Sequence, residues 1–170
     1  MKNTTLLILI FMILSCKNEI KTTNNESDAT IETPIVKDLR PLKIIEPVKW
    51  LTEVKKLTET EYELLITAHI ENGYHLYSQT VPETGPQPTV FIFQEHDSYE
   101  LVGPTIEEQG PSIYDSVFKL DIKSFKTKTT FKQKIKLKKP VTKTIVAEIE
   151  YMSCNNTNCL MGYTDIKFEI

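Results

Sequence analysis

Two of the chain's three cysteines lie close together near its end, in the stretch YMSCNNTNCLMGY at residues 151–163. Cys154 and Cys159 are separated by four small polar residues, a composition typical of a tight turn. Two thiols at this spacing could form a structural disulfide, bind a metal ion, or act as a redox couple that exchanges electrons with another protein. The choice depends on how the flanking segments position the two sulfur atoms.

The flanking segments have the pattern of two paired strands. The segment TIVAEIEYMSC at 144–154 alternates apolar and polar residues, as does TDIKFEI at 164–170. If NNTN is a four-residue hairpin loop, Cys154 faces Cys159, and the apolar residues of the two strands also face each other. Directly opposed Cα atoms lie ~4.5–5.5 Å apart, which is within the ~4.4–6.8 Å that a disulfide accepts. A disulfide can therefore form without large backbone movement.

The short loop argues against a purely structural disulfide, because the entropic stabilisation by a disulfide grows with the length of the loop it closes. The even-numbered residues from Val146 to Cys154 are predicted to face away from the core. Both sulfurs should then lie near the surface, where a partner thiol can reach them. A redox couple is therefore favoured, while a redox-inactive interaction module with a static disulfide stays open.

Two methionines support a third interpretation. The same register places Met152 opposite Met161, beside the two cysteines. The resulting M-x-C…C-x-M arrangement offers four soft ligands that would suit Cu(I). The C-x4-C spacing, in contrast, is not a standard zinc spacing. A Cu(I)-binding lipoprotein that uses Met152, Cys154, Cys159 and Met161 is kept as an alternative.

The start of the chain indicates export. An apolar run behind Lys2 is too short to span a bilayer, so residues 1–15 are predicted to be a signal peptide. The end of this run, ILSC, resembles the bacterial lipobox, which implies cleavage before Cys16 and lipidation of that residue. Several acyl chains would hold the protein firmly on a membrane. Residues 16–44 are polar and lack aromatics, which predicts a flexible lipidated tether before a folded domain at 45–170.

Composition and compartment narrow the function classes. The formal net charge is −3 at pH 7, which argues against binding to nucleic acid. The lysine-rich segment 126–139 alternates, so its lysines are predicted to form a solvated strand face. No cofactor is implied, and contact with the membrane is expected through the lipid only. The predicted location is the bacterial envelope, on the periplasmic face of the outer membrane, where disulfides persist.

The folded part is predicted to be all-β. Seven to nine short strands with turn signals between them are typical of a β-sandwich. Only the segment 48–56 could argue for a short helix. Two loops rich in proline and glycine are predicted at 81–89 and 103–112. Strands are predicted at 62–70, 74–78, 89–94, 116–122, 131–137, 144–154 and 164–170.

Three motifs together resemble a known family. They are GYHLYSQ at 73–79, GPQPT at 85–89 and YMSCNNTNCL at 151–160. Over about residues 48–170 the chain resembles the N-terminal periplasmic domain of DsbD, the thiol:disulfide interchange protein. The resemblance implies an immunoglobulin-like fold with Cys154 and Cys159 as the redox pair of a thiol-disulfide oxidoreductase. It implies electron transfer from a thioredoxin-like partner to other exported thiol-disulfide proteins, with Cys159 as the attacking residue.

The resemblance also implies residues that line the site. His75 and Tyr77 match the family motif beside the cysteines. A cap loop with acids and an aromatic corresponds to residues 103–114, which keep Glu107 and Glu108 but lack an internal aromatic. His75 or Glu108 could accept a thiol proton. From the residues alone, His75 and Tyr77 could equally be structural, and the two glutamates could belong to a solvated loop.

Overall fold

The computed structural model describes residues 45–139 and 144–170. The predicted signal peptide, the predicted lipidation site Cys16 and the predicted tether up to residue 44 lie outside the described residues. Within the described ranges, no helix has the length and apolarity needed to cross a membrane. The strands are β1 (Val48–Lys56), β2 (Glu61–Ile70), β3 (His75–Tyr77), β4 (Val90–Phe93), β5 (Tyr99–Ile106), β6 (Ser112–Asp115), β7 (Leu120–Phe125), β8 (Lys128–Leu137), β9 (Thr144–Cys154) and β10 (Cys159–Glu169).

The strands form two sheets that enclose one main core. One sheet has the order β1-β2-β8-β5, and the other has the order β10-β9-β3-β7-β6, with β4 also paired to β9. Phe131 of β8 is fully buried, and its ring lies 4.8 Å from Phe91 and 5.8 Å from Phe125 between ring centroids. Trp50 of β1 packs at 6.0 Å from the same ring. This is the all-β, immunoglobulin-like sandwich that the sequence predicts.

Alternation of side chains explains most of the strands. Along β8, lysines are exposed and the residues between them are buried, as expected where one sheet face contacts the core and the other contacts water. The exposed Lys134 and Lys136 pair with Glu63 and Glu61 of β2. The predicted solvated lysine face is therefore confirmed.

Two local interpretations are corrected. The segment 48–56, the one stretch that could argue for a short helix, is instead a strand that pairs with β2 from Val48 to Lys56. The strand predicted over 116–122 begins only at Leu120. The chain turns before it because the Asp115 carboxylate accepts hydrogen bonds from the backbone N–H groups of Val117 and Phe118.

A third prediction fails in part. The loop predicted at 103–112 begins as strand, since β5 continues to Ile106 and pairs with β8. The register shifts between Val102 and Ile106. Gly103 has a φ of 71° there, a conformation that a glycine adopts without strain. The other predicted loop, 81–89, contains no strand and is confirmed.

The register of the last hairpin is confirmed. Cys154 pairs with Cys159, Ala147 with Ile166, and Ile145 with Phe168. The turn is closed by Asn155, whose side-chain oxygen accepts hydrogen bonds from two backbone N–H groups, those of Thr157 at 2.8 Å and Asn158 at 2.7 Å. The two cysteines are thereby fixed opposite each other at the tip of β9 and β10.

Candidate redox site

Cys154 and Cys159 form a disulfide across the tip of the last hairpin, with an Sγ–Sγ distance of 2.00 Å. The two residues differ sharply in exposure. Cys154 is fully buried, whereas Cys159 is exposed. A partner that approaches the bond therefore meets the sulfur of Cys159 first.

The prediction that both sulfurs lie near the surface is wrong for Cys154. The strand alternation does place Cys154 on the face of β9 away from the main core, but a second layer covers that face. This layer, called the hairpin cluster below, is a separate small core. It consists of the buried residues Tyr77, Ile122 and Cys154 with the partly buried Val81, Phe118, Leu120 and Met152. Because β10 is an edge strand, the cluster does not extend over Cys159.

Three adjacent strands place His75, Cys154 and Cys159 in one row across the sheet. His75 of β3 pairs with Cys154 of β9, which pairs with Cys159 of β10. Directly paired residues project to the same face of a sheet. His75 is therefore a side-chain neighbour of Cys154 on the side opposite Cys159. The Ser153 hydroxyl donates to the carbonyl oxygen of His75 at 2.9 Å, which ties β3 to β9 at this point.

A hydrogen-bonded group lies next to the buried cysteine. The Tyr77 hydroxyl donates to Asp115 Oδ2 at 2.7 Å, and His75 Nε2 lies 3.0 Å from the Tyr77 oxygen and 3.4 Å from Asp115 Oδ2. The single hydroxyl proton of Tyr77 is used in the bond to Asp115. His75 Nε2 must then carry the proton that it donates to Tyr77, and the neutral ring keeps a lone pair on Nδ1.

The environment sets the charge of this group. Burial lowers the pKa of His75, and the neighbouring Asp115 carboxylate only partly opposes this effect. Burial raises the pKa of Asp115, but hydrogen bonds from the Tyr77 hydroxyl and the N–H groups of Phe118 and Val117 outweigh burial and lower it. Burial, and then Asp115, raises the pKa of Tyr77. Near neutral pH the group therefore holds one negative charge, on Asp115, beside a neutral histidine and a neutral tyrosine.

A turn between β6 and β7 covers the hairpin cluster. Phe118 packs edge-on against Tyr77, with ring centroids 5.9 Å apart. Val117 beside it is 50% exposed. A pocket of about 130 Å³ lies next to this turn, and its lining includes His75, Tyr114 and Asn155. Residues 115–119 thus pack an aromatic against the hairpin cluster, whereas the sequence predicts a cap at 103–114.

Glu107 and Glu108 have other contacts. Glu107 accepts hydrogen bonds from the Ser78 hydroxyl and from the N–H of Gln79, and it forms an ion pair with Lys123 at 3.0 Å. Glu108 accepts a hydrogen bond from the Thr129 hydroxyl at 3.2 Å. Neither glutamate belongs to the hairpin cluster or lines the pocket beside it. Glu107 instead holds the chain segment directly after Tyr77.

Asp115 and Phe118 are the site residues that sequence reasoning missed. A signal for Asp115 was present in the sequence, since an aspartate at the start of a turn commonly accepts hydrogen bonds from the N–H groups that follow it. No comparable local signal marks Phe118. Its position over Tyr77 depends on the pairing of β3 with β7, which joins segments distant along the chain.

Among residues 45–139 and 144–170, no group of three or more histidine, cysteine, aspartate or glutamate side chains is placed to hold a metal ion. Met152 and Met161 pair directly on β9 and β10, as the sequence predicts. They are the neighbours of the disulfide along the hairpin.

Comparison with known proteins identifies similar domains. A family model described as "Thiol:disulfide interchange protein DsbD, N-terminal" matches residues 46–169. The N-terminal periplasmic domain of ScsB from Proteus mirabilis is 13% identical, with a TM-score of 0.52 over 71% of this chain and 49% of that chain. The chain thus spans about half the length of the ScsB structure, and at this identity the likeness shows the fold alone.

Two further structures come from Neisseria meningitidis. The DsbD N-terminal domain in the reduced form is 16% identical, with a TM-score of 0.45 over 71% of this chain and 83% of that chain. The complex between the DsbD N-terminal and the PilB N-terminal domains gives 13% identity, with a TM-score of 0.43 over 71% of this chain and 80% of that chain. No curated protein sequence matches the chain.

Proposed function

Because the chain belongs to the family of the N-terminal domain of the thiol:disulfide interchange protein DsbD, we propose that it is an exported thiol-disulfide exchange domain. It passes electrons between a reductant and envelope thiol-disulfide proteins through Cys154 and Cys159, as a thiol-disulfide oxidoreductase. The observation that carries this proposal is the asymmetry of the disulfide. One sulfur is exposed to a partner, and the other is buried beside a neutral histidine.

Exchange proceeds through a mixed disulfide. In the reduced domain, the Cys159 thiolate attacks a disulfide of the partner; a new bond forms to one partner sulfur, and the other leaves as a thiolate. The Cys154 thiolate then attacks Cys159, which re-forms the disulfide and releases the second partner thiolate. Two electrons pass to the partner, whose thiolates take up the two protons that Cys154 and Cys159 release. A dithiol reductant reverses the same steps and reloads the domain.

The geometry supports separate roles for the two cysteines. Cys159 is exposed, so it is the attacking residue. Cys154 lies directly across the hairpin from it and resolves the mixed disulfide without movement of either strand. A buried thiol becomes a nucleophile only after it loses its proton, so Cys154 needs a nearby base. His75 is its neighbour on β3, and the lone pair on Nδ1 of the neutral ring can accept the thiol proton.

Asp115 and Tyr77 act as positioning residues in this scheme. They hold the other nitrogen of His75, which fixes the tautomer of the ring. Glu107 contributes at a distance, since it orders Ser78 directly after Tyr77. Glu108, which the sequence analysis considers as a proton acceptor, has its carboxylate engaged with Thr129 and takes no part in the proposed step.

The proposal includes the setting of the domain. Residues 1–15 act as a signal peptide, Cys16 is lipidated, and residues 16–44 tether the folded domain at 45–170 to the periplasmic face of the outer membrane. The support is the lipobox-like sequence before Cys16 and the polar composition after it. The partners are thioredoxin-like or other exported thiol-disulfide proteins.

Trapping of partners tests the proposal. The full-length chain is expressed in bacterial cells as Cys154→Ser and as Cys159→Ser, and disulfide-linked adducts are separated by non-reducing electrophoresis. Cys154→Ser should accumulate a mixed disulfide through Cys159, whereas Cys159→Ser should accumulate far less because its remaining thiol is buried. The double variant Cys154→Ser/Cys159→Ser controls for adducts that do not involve the pair.

A static disulfide predicts a different result. In that case neither single variant captures a partner, and the wild-type pair stays oxidised in glutathione buffers poised below about −300 mV. Either finding would leave a redox-inactive immunoglobulin-like interaction module as the function. An exchange domain should instead equilibrate with those buffers at a measurable potential.

A further inference from the structure

The reduced hairpin has a second capacity that thiol-disulfide exchange does not use. We propose that, when the disulfide is open, Cys154, Cys159, Met152 and Met161 bind one Cu(I) ion. The site would be mononuclear, with sulfur ligands only. It requires a reduced cysteine pair but no partner protein, so it can be tested independently of exchange.

The backbone places the four sulfur-bearing side chains at the corners of one rectangle. Cys154 pairs with Cys159, and Met152 pairs with Met161. The Cα atoms of Cys154 and Cys159 lie 4.0 Å apart in the disulfide, and residues two apart along a strand lie roughly 7 Å apart. All four side chains project to the same face of the hairpin, because side-chain direction repeats every second residue. No strand has to move to bring them together.

The methionine side chains are long and flexible enough for their sulfur atoms to reach a metal ion that the two cysteines bind. Methionine is unbranched and has three rotatable bonds, so its sulfur can adjust to a neighbouring pair of thiolates. Met152 already belongs to the hairpin cluster together with Cys154. Met161 is 44% exposed, as expected of a ligand that leaves a path for the ion to enter.

The ligand set selects the metal. Thiolates and thioethers are soft ligands that favour Cu(I), whereas carboxylate and carbonyl oxygens favour hard cations. Structural zinc sites use cysteine and histidine in tetrahedral sets, and a thioether is not among the usual zinc ligands. Within the described ranges, no set of three histidine, cysteine or acidic side chains could supply a competing site.

Binding and disulfide formation exclude each other. Two S–H groups release their protons when the thiolates bind, and copper remains Cu(I), so the binding step itself transfers no electrons. The pair must first be reduced by two electrons, which a dithiol reductant supplies. Bound Cu(I) then occupies both thiolates and prevents Cys159 from attacking a disulfide. Copper is therefore expected to inhibit exchange by the reduced domain.

A competition titration tests the site. The full-length chain is reduced with a dithiol, and the dithiol is then removed under anaerobic conditions. The reduced chain is titrated with Cu(I) in competition with a chromophoric Cu(I) chelator. The wild type should bind about one Cu(I) per chain, with sulfur alone in the X-ray absorption first shell. Even the loss of a residue that only contacts a metal ligand costs about 10–100-fold in metal affinity, so removal of two direct ligands in Met152→Leu/Met161→Leu should weaken binding at least about tenfold. The oxidised wild type should bind no Cu(I).

Leucine keeps the volume and apolar character of methionine, which limits the risk to folding. Met161→Leu alone changes a half-exposed side chain and should also weaken Cu(I) binding measurably. The proposal is overturned if the reduced wild type binds no Cu(I). It is equally overturned if the double leucine variant forms its disulfide normally and binds Cu(I) as tightly as the wild type, or if nitrogen or oxygen ligands appear in the first shell. Disulfide formation reports correct folding of each variant without relying on copper.

Discussion

The main core and the hairpin cluster lie on opposite faces of the same strand, β9. Ile145, Ile149 and Tyr151 point into the main core, where the buried side chains are aliphatic or aromatic. Met152 and Cys154 point into the hairpin cluster, which combines a disulfide sulfur with a buried tyrosine. One strand thus holds the sandwich together on one face and positions the disulfide cysteine on the other. Changes to the two faces should therefore have separable effects.

The substitution that should destabilise the fold most disrupts the main core and leaves the hairpin cluster intact. Phe131 is fully buried and contacts three other aromatic rings. Phe131→Ala should lower the free energy of unfolding by about 3–5 kcal/mol, because it removes a large buried ring and leaves a cavity. Urea denaturation measures this loss. The reduction potential of the cysteine pair should shift by less than about 30 mV, which corresponds to about 1.4 kcal/mol. A larger shift would mean that the two faces are coupled.

An intermediate effect is expected at Gly162, which pairs with Tyr151 across the hairpin. A Cβ atom at this position would lie 2.1 Å from Cζ of the Tyr151 ring, so the ring would have to move. Gly162→Ala should therefore destabilise the fold by about 1–3 kcal/mol, as overpacking does. Thermal and urea unfolding would measure it. The matched control is Gly110→Ala, whose Cβ would meet only Lys123 at 3.7 Å and should change stability by less than about 0.5 kcal/mol.

A double variant sharpens this test. If the Tyr151 ring is the cause, Gly162→Ala combined with Tyr151→Leu should destabilise by less than the sum of the two single changes. Additive losses would show that the alanine acts on the β10 backbone instead. In that case the strand that carries Cys159 would itself be strained.

The weakest predicted effect is a change in how the free energy of unfolding depends on pH, and it arises from His75 beside the hairpin cluster. Burial lowers the pKa of His75, with Lys126 acting in the same direction and Asp115 against it. Below about pH 6.5, the ordinary pKa of histidine, the unfolded chain takes up a proton that the folded chain resists. Stability contributed by His75 is therefore lost as the pH falls from 6.5 through the lowered pKa. His75→Gln should lose less stability than the wild type between pH 7 and pH 5, as measured by urea unfolding.

The control for this prediction is His69→Gln, since His69 is exposed on β2. That variant should keep the wild-type dependence on pH. An unchanged slope in His75→Gln would instead mean that His75 binds its proton equally in the folded and unfolded chains, and that burial does not keep the ring neutral below pH 6.5.

Sequence reasoning predicted the last hairpin well because one face of it enters the main core. A shift of one residue would move Ile145 and Ala147 to the other face, so the apolar pattern supports the pairing of Cys154 with Cys159 that a four-residue loop predicts. The secondary structure of β1 is harder to predict, because the pattern VKWLTEVKK at 48–56 fits a short helix as well as a strand. The segment is a strand because it pairs with β2 along its whole length.

The burial of Cys154 could not be predicted in the same way. Alternation identifies the face on which a residue lies, but it does not say whether another layer covers that face. The cover comes from Tyr77 and Phe118, which precede Cys154 by 77 and 36 residues along the chain. Such long-range contacts leave no periodic signal near the cysteines. The same reason explains why Phe118, an aromatic that packs on the hairpin cluster, lies outside the cap predicted at residues 103–114.

The exposure of a single sulfur also constrains the kinetics of the exchange that we propose. Since Cys154 is fully buried and Cys159 is exposed, a reductant and an oxidant would both react at the Cys159 sulfur and could not be bound there together. A cycle that passes through Cys159 is therefore a ping-pong cycle, in which the first partner leaves before the second arrives. Initial-rate plots at several concentrations of the second partner should then be parallel lines, and either partner in excess should compete with the other for the domain.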